Sequence, residues 1–205
     1  SITGNFTNNS ATSTSSSAYG GAIDNGGTIS SITGDFTGNS ATSTNRAAYG
    51  GAIFNGSTIS SITGDFIGNS ATGNSYAYGG AIYNRGTISS ITGDFIGNSA
   101  TSTNTGVYGG AIYNEGTIET IEGNFEGNSA TSTEYSASGG AIFNEIGTIE
   151  TIEGNFEGNS ATSTNGDAEG GAIFNYNNGT ISSITGDFTD NSATSTNSNA
   201  YGGAI

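Results

Sequence analysis

The sequence has no cysteine, proline, methionine, tryptophan, histidine or lysine, and its only basic residues are Arg46 and Arg85. Each absence closes a class of chemistry. Without histidine or cysteine there is no Ser-His-Asp or Cys-His nucleophile, and no zinc site of the usual nitrogen and sulfur type. Two isolated arginines cannot neutralise a phosphate backbone, so nucleic acid is not an expected partner. They also leave nothing to hold an acidic polysaccharide for cleavage. The absence of cysteine means that no disulfide staples the fold, which is compatible with any compartment. No apolar run approaches the roughly 20 residues of a membrane-spanning helix, so this segment is not expected to insert in a membrane. No secretory leader is recognisable, and any targeting segment is expected outside this stretch.

What is present is glycine, acid and repetition. There are 36 glycines and 17 aspartates and glutamates in 205 residues, for a net charge of −15. Low hydrophobicity with high charge can signify disorder. Here the apolar residues recur at fixed positions instead. A core Phe falls at residues 6, 36, 66, 95, 125, 156 and 188, with spacings of 30, 30, 29, 30, 31 and 32. A Gly-Gly pair beginning at residues 20, 50, 79, 109, 139, 170 and 202 follows nearly the same intervals. Length varies in two places only. One lies between the Asn after Phe and the Gly-Gly pair, where the third repeat is one residue short, and the other lies in "FNEIGT" and "FNYNNGT". Two variable loops on an otherwise fixed path are implied.

The segments between the loops read as short strands. "SITGDF" places Ile32, Gly34 and Phe36 on one side and Thr33 and Asp35 on the other. No segment has helical periodicity. A unit of about 30 residues cannot bury its apolar face alone and must stack on its neighbours. The predicted fold is all-β: a parallel β-helix (β-solenoid) of about seven coils of ~30 residues, with coils about 4.8 Å apart. Residues 1–205 then form a single repeat array. Stacking turns each repeated residue into a column. Phe36, Phe66, Phe95, Phe125 and Phe156 form an aromatic one, and Ile32, Ile62 and Ile91 an aliphatic one. Two polar columns contain Asn39, Asn69 and Asn98, and Asn55 and Asn84. An Asn amide donates to one neighbour and accepts from the other, so such columns satisfy themselves and hold corners. The Gly-Gly pair supplies either a bend with positive φ or a close backbone approach.

The paired motifs "FTNN", "FTGN", "FIGN", "FEGN" and "FTDN", each followed by "GGAI", resemble the FxxN and GGA(I/L/V) repeats of the chlamydial polymorphic membrane proteins. More broadly, they resemble the passenger domains of bacterial autotransporters. The resemblance spans the whole chain. It implies a right-handed β-helix, an extracellular or bacterial cell-surface location, and a role in adhesion.

Function on a solenoid lies on its outer faces, and three features mark them. Acid is concentrated in two adjacent coils, where Glu119 and Glu122 stack against Glu150 and Glu153. These glutamates form either a solvated acidic face or a site for a calcium ion, which takes oxygen ligands. The "ATST" segments place Thr-x-Thr on one strand face, as in Thr42 and Thr44, or Thr101 and Thr103. Such columns resemble the flat arrays of β-helical ice-binding proteins, and Thr also simply suits a β ladder. The segment after "ATST" varies most and is where partner contacts are expected. Arg46 lies in it, and Tyr49, Tyr78 and Tyr108 precede Gly-Gly as an interrupted aromatic stripe. Phe54 and Tyr83 follow "GGAI". With Ile53 inward, alternation turns Phe54 outward onto an exposed ribbon, unless a bend at Gly51 covers the ring.

The chain begins within a repeat, ends just after "GGAI" and shows no atypical capping repeat, so it reads as part of a longer array. The expected function is that of a non-catalytic surface or secreted rod with no required cofactor. Its partners would be a host surface protein or glycan, or other copies of itself stacked end to end as a filament.

Overall fold

A computed structural model describes residues 1–205. It is a parallel β-solenoid without helices, in which the chain makes about seven turns. One coil shows the path. Its strands are Thr58–Thr63, Phe66–Ile67, Ser70–Gly73, Ala77–Tyr78 and Ile82–Asn84. Each pairs in parallel with its equivalent one coil on: Thr58 with Thr87, Phe66 with Phe95, Ser70 with Ser99, Ala77 with Val107, and Ile82 with Ile112. Five parallel sheets therefore run along the stack.

Like lies on like inside. The rings of Phe36, Phe66, Phe95, Phe125 and Phe156 have no solvent exposure. Successive centroids are 4.7–4.8 Å apart, with ring planes within 3° of parallel. The isoleucines of the long strand, such as Ile59 and Ile62, complete this main core with Ala81 and Ile82. A smaller core is built of Ala77, Ala100, Val107, Ala130 and Ala137. The two are separate because the second glycine of each pair brings backbone against backbone. A Cβ on Gly80 would lie 2.0 Å from the carbonyl oxygen of Gly110 and 2.6 Å from backbone atoms of Ser99. The first glycine has the other role. Gly79 has φ of +62°, a left-handed conformation that Cβ disfavours. Both readings of the pair therefore hold, one for each residue.

The polar columns close the corners. Asn69 Nδ2 donates to Asn98 Oδ1 at 2.9 Å and to the Phe36 carbonyl at 2.9 Å, while its backbone N–H donates to the same Asn98 oxygen at 3.0 Å. Asn39 and Asn98 repeat this pattern. At the second corner Asn55 Nδ2 donates to Asn84 Oδ1 at 2.8 Å, and Asn84 Nδ2 to Asn114 Oδ1 at 2.8 Å. All five of these predicted ladder asparagines, Asn39, Asn69, Asn98, Asn55 and Asn84, are fully buried, and no buried side-chain nitrogen or oxygen lacks a partner.

Two further ladders escaped the sequence reading. The residue before each Phe lies on the outside, yet its side-chain oxygen accepts the backbone N–H of its equivalent in the following coil. Asp35 accepts from Asp65 at 3.1 Å, Asp65 from Asp94 at 2.9 Å, and Asn124 from Asn155 at 3.0 Å. A buried serine column at Ser43, Ser102, Ser132 and Ser163 ties the first variable loop to the coil before it. Ser43 Oγ donates to the Ser16 carbonyl at 2.8 Å and accepts from the Arg46 N–H at 2.9 Å. The third coil has Gly73 at this position, where a Cβ would lie 1.9 Å from the Tyr76 carbonyl oxygen. The shortened loop and the loss of serine are thus one change.

Candidate functional site: an aromatic band outside the coil

The tight turn at each Gly-Gly pair sets the strand before it at an angle to the strand after it. Their outward rings consequently meet over the corner. Tyr19, Tyr49, Tyr78 and Tyr108 stack in one column, with successive centroids 5.0–5.5 Å apart. Phe54, Tyr83, Tyr113 and Phe143 stack in a second, at 5.0–5.3 Å. The columns interlock edge to face: Tyr49 meets Tyr83 at 5.1 Å and 82°, and Tyr78 meets Tyr113 at 4.9 Å and 68°. Phe54 does point away from the main core, but the Tyr column half covers it.

This arrangement corrects one residue among the expected partner contacts. Tyr83 is only 5% exposed, with Tyr49 and Tyr78 packed over it, so its ring does not face solvent. Tyr49, Tyr78, Tyr108 and Phe54 are half-buried. Arg46 is exposed in the first variable loop, as are Tyr76 and Tyr135 in the equivalent loops.

Carboxylates line the inner aromatic column. Tyr83 donates to Glu115 Oε2 at 2.8 Å, and the Tyr113 hydroxyl reaches Glu145 and, at 3.1 Å, Glu115. Each tyrosine hydroxyl thus has an acid one coil on. Phe54 and Phe143 have no hydroxyl, and the residues at the equivalent place after them are Arg85 and Tyr176. Arg85 forms an ion pair with Glu115 at 3.4 Å. Burial, followed by these hydrogen bonds, raises the phenol pKa of Tyr83 and Tyr113. Burial likewise pushes Tyr108 up to about 12, with Tyr76, Glu145 and Glu169 adding smaller repulsive effects.

The outer column is interrupted. Where Tyr19, Tyr49, Tyr78 and Tyr108 would be followed by further rings stand Ser138 and Glu169, before Tyr201 resumes the pattern. A notch of about 220 Å³ opens there, lined by Tyr108, Ser136, Ser138, Phe143, Glu169, Phe174 and Tyr176. Ser138 is fully buried at its base and donates to Glu169 Oε2 at 2.9 Å. The letters "SASGG" and "DAEGG" were a visible signal for the notch, because they break the Tyr-Gly-Gly pattern.

The other predicted residues lie elsewhere. Glu122 and Glu153 are register partners on the long-strand sheet, and Glu119 and Glu150 are exposed on the same face. No three acidic side chains, these included, converge in a group suited to hold a metal ion. Thr42, Thr44, Thr101 and Thr103 line a shallow depression where Gly73 and Asn74 interrupt the Thr-x-Thr face.

In comparisons with known proteins, no curated protein and no solved structure matches the chain. A family model does match: the Chlamydia polymorphic membrane protein repeat, over residues 122–145. This span runs from the end of one long strand through Phe125, Asn128 and Gly139–Gly140 to Asn144 and Glu145, and so includes the Phe column, both Asn corners and the glycine turn. The stacked unit of this chain is therefore similar to the Chlamydia polymorphic membrane protein repeat.

Proposed function

We propose that this chain is the rod of a bacterial surface-displayed or secreted protein, passenger-like in the autotransporter sense, and that it acts by adhesion rather than catalysis. The observation that carries this reading is the division of labour within each coil. The columns repeat one residue type without regard to neighbours, whereas the loop between the Ser column and the Gly-Gly pair changes in every coil and sets Arg46, Tyr76 and Tyr135 in solvent. Stacking supplies reach and stiffness, and the loops supply weak contacts repeated along one edge. The similarity to a repeat of polymorphic membrane proteins supports a cell-surface setting. The partner expected is a host surface protein or glycan. No cofactor and no catalytic residue enter this mechanism.

The test is direct binding of the purified chain to host cells and to a glycan array. The parent is compared with a variant carrying Arg46→Ser, Tyr76→Ser and Tyr135→Ser. Saturable binding by the parent, at least fivefold weaker in a folded variant, is the expected outcome, on the order of 1 kcal/mol spread over the loops. A parent that binds neither surface overturns the adhesive role.

A further inference from the structure

We propose that the notch at Ser138 and Glu169 is a binding site for an organic cation, of the kind presented by a lysine or arginine side chain or a quaternary ammonium group of a partner. The inference does not rest on the rod being an adhesin.

Three observations converge. The notch has the shape and lining for such a ligand. Tyr108, Phe143, Phe174 and Tyr176 wall it with rings, and the Glu169 carboxylate stands beside them. Rings attract a cation through their faces, and more strongly where water is partly excluded. Second, the site is built rather than merely acidic. Ser138 is buried, and its hydroxyl donates to Glu169 Oε2 at 2.9 Å, which fixes the carboxylate at the edge of the gap left in the Tyr column. Third, beside the same band a cation is already paired with a carboxylate, three coils before Tyr176. Arg85 lies 3.4 Å from Glu115, whose carboxylate also accepts from Tyr83. The electrostatic influence of the guanidinium extends to Tyr49 and Tyr83. There the chain provides its own guanidinium to a carboxylate that also holds a tyrosine hydroxyl.

At the notch it provides none. Glu169 is the carboxylate in the lining, and the only two basic side chains of the chain are Arg46 and Arg85. A net charge of −15 attracts cations toward the rod, and the notch is where rings and a fixed carboxylate meet. A neutral apolar ligand would leave Glu169 without a counter-ion, and an anion would meet its carboxylate. A cation with an apolar shell fits both halves.

The test uses the full chain and three probes observed by NMR through the aromatic resonances: choline, its neutral isostere 3,3-dimethyl-1-butanol, and arginine amide. Saturable shifts with choline or arginine amide, and at least about fivefold weaker binding of the neutral isostere, are expected. Glu169→Gln, which keeps the shape, should weaken the cations by about fivefold or more. Ser138→Tyr, which continues the stacked column and fills the gap, should abolish the shifts. Glu122→Gln, exposed on the long-strand sheet, should leave them unchanged. Circular dichroism confirms that each variant is folded. Equal binding of the neutral isostere, no saturable binding of any cation, or full binding to a folded Ser138→Tyr variant would each overturn the proposal.

Discussion

Two aromatic stacks, one unbroken and one interrupted, run along this rod, and they obey different rules. The inner stack is Phe in every coil, closed to solvent from Phe36 to Phe156, with planes parallel to within 3°. The outer double stack mixes Tyr, Phe, Ser, Glu and Asp and reaches angles of 52–82°. The inner column has one environment, repeated, so one residue solves it everywhere. In the outer band Tyr83, Tyr113 and Phe143 are buried, but the Tyr column over them has solvent on one side, and each of its rings needs only a partner above, below or across the corner. It can therefore lose a ring without losing the fold, and a gap becomes a site. Structure here is written in what is constant between coils, and function in what departs from it.

The sharpest way to break this comparison is to remove one ring from each stack. Phe95→Ala opens a cavity between two rings that cannot collapse, and should cost about 3–5 kcal/mol in urea unfolding. Asn98→Ala removes the acceptor for Asn69 and the donor to the Phe66 carbonyl. With buried groups left unpaired, about 3 kcal/mol is expected, even though a much smaller volume is deleted. Tyr78→Ala, in the half-buried outer column, should cost about 2 kcal/mol, because solvent fills part of the gap. If Tyr78→Ala proves as costly as Phe95→Ala, the outer band is a second core and the distinction fails.

Alkaline pH sharpens the contrast without mutation. Phe does not titrate, so of the two stacks only the outer band responds. Tyr108 has its folded pKa raised from 10.0 to about 12 by burial. A raised folded pKa contributes stability that is complete below about pH 10 and is lost as pH rises through about 12. Tyrosinate absorbance should therefore lag behind that of free tyrosine between these values. Loss of β signal in circular dichroism should accompany it, with no change between pH 6 and 9. A titration identical to that of free tyrosine would show the band to be open to solvent.

Much of this was legible beforehand, for a physical reason. A parallel stack places each residue on its own equivalent, so the phase of the repeat alone positions Phe36, Ile32, Asn39 and Asn55 and separates fixed path from variable loop. The outer band was not legible to the same depth. Alternation tells that Phe54 leaves the core, but whether Tyr49 covers it depends on the angle at Gly50 and Gly51, which strand periodicity does not encode. The Asp35 ladder was hidden because an outward acidic residue looks solvated, and its bond to the next backbone N–H leaves no trace in composition. The Ser43 column lies inside "ATST", where serine and threonine alternate and hydroxyls stand on both faces of the strand. The notch at Ser138 was visible as an interruption, and only the facing Phe143 and Tyr176 gave it walls.

The like-on-like register of the columns also bears on how such a chain changes length. If one whole coil is duplicated or excised, the new junction again sets Phe on Phe, Asn on Asn and Gly on Gly. Nothing in the interior has to be redesigned. A change of a few residues has no such freedom: the one-residue shortening of the third coil is confined to a loop and required Gly73. Recombination between repeats is thus nearly silent to the fold. Rod length becomes a heritable setting that can drift by whole coils, while the outer positions carried on each inserted coil travel with it as interchangeable parts.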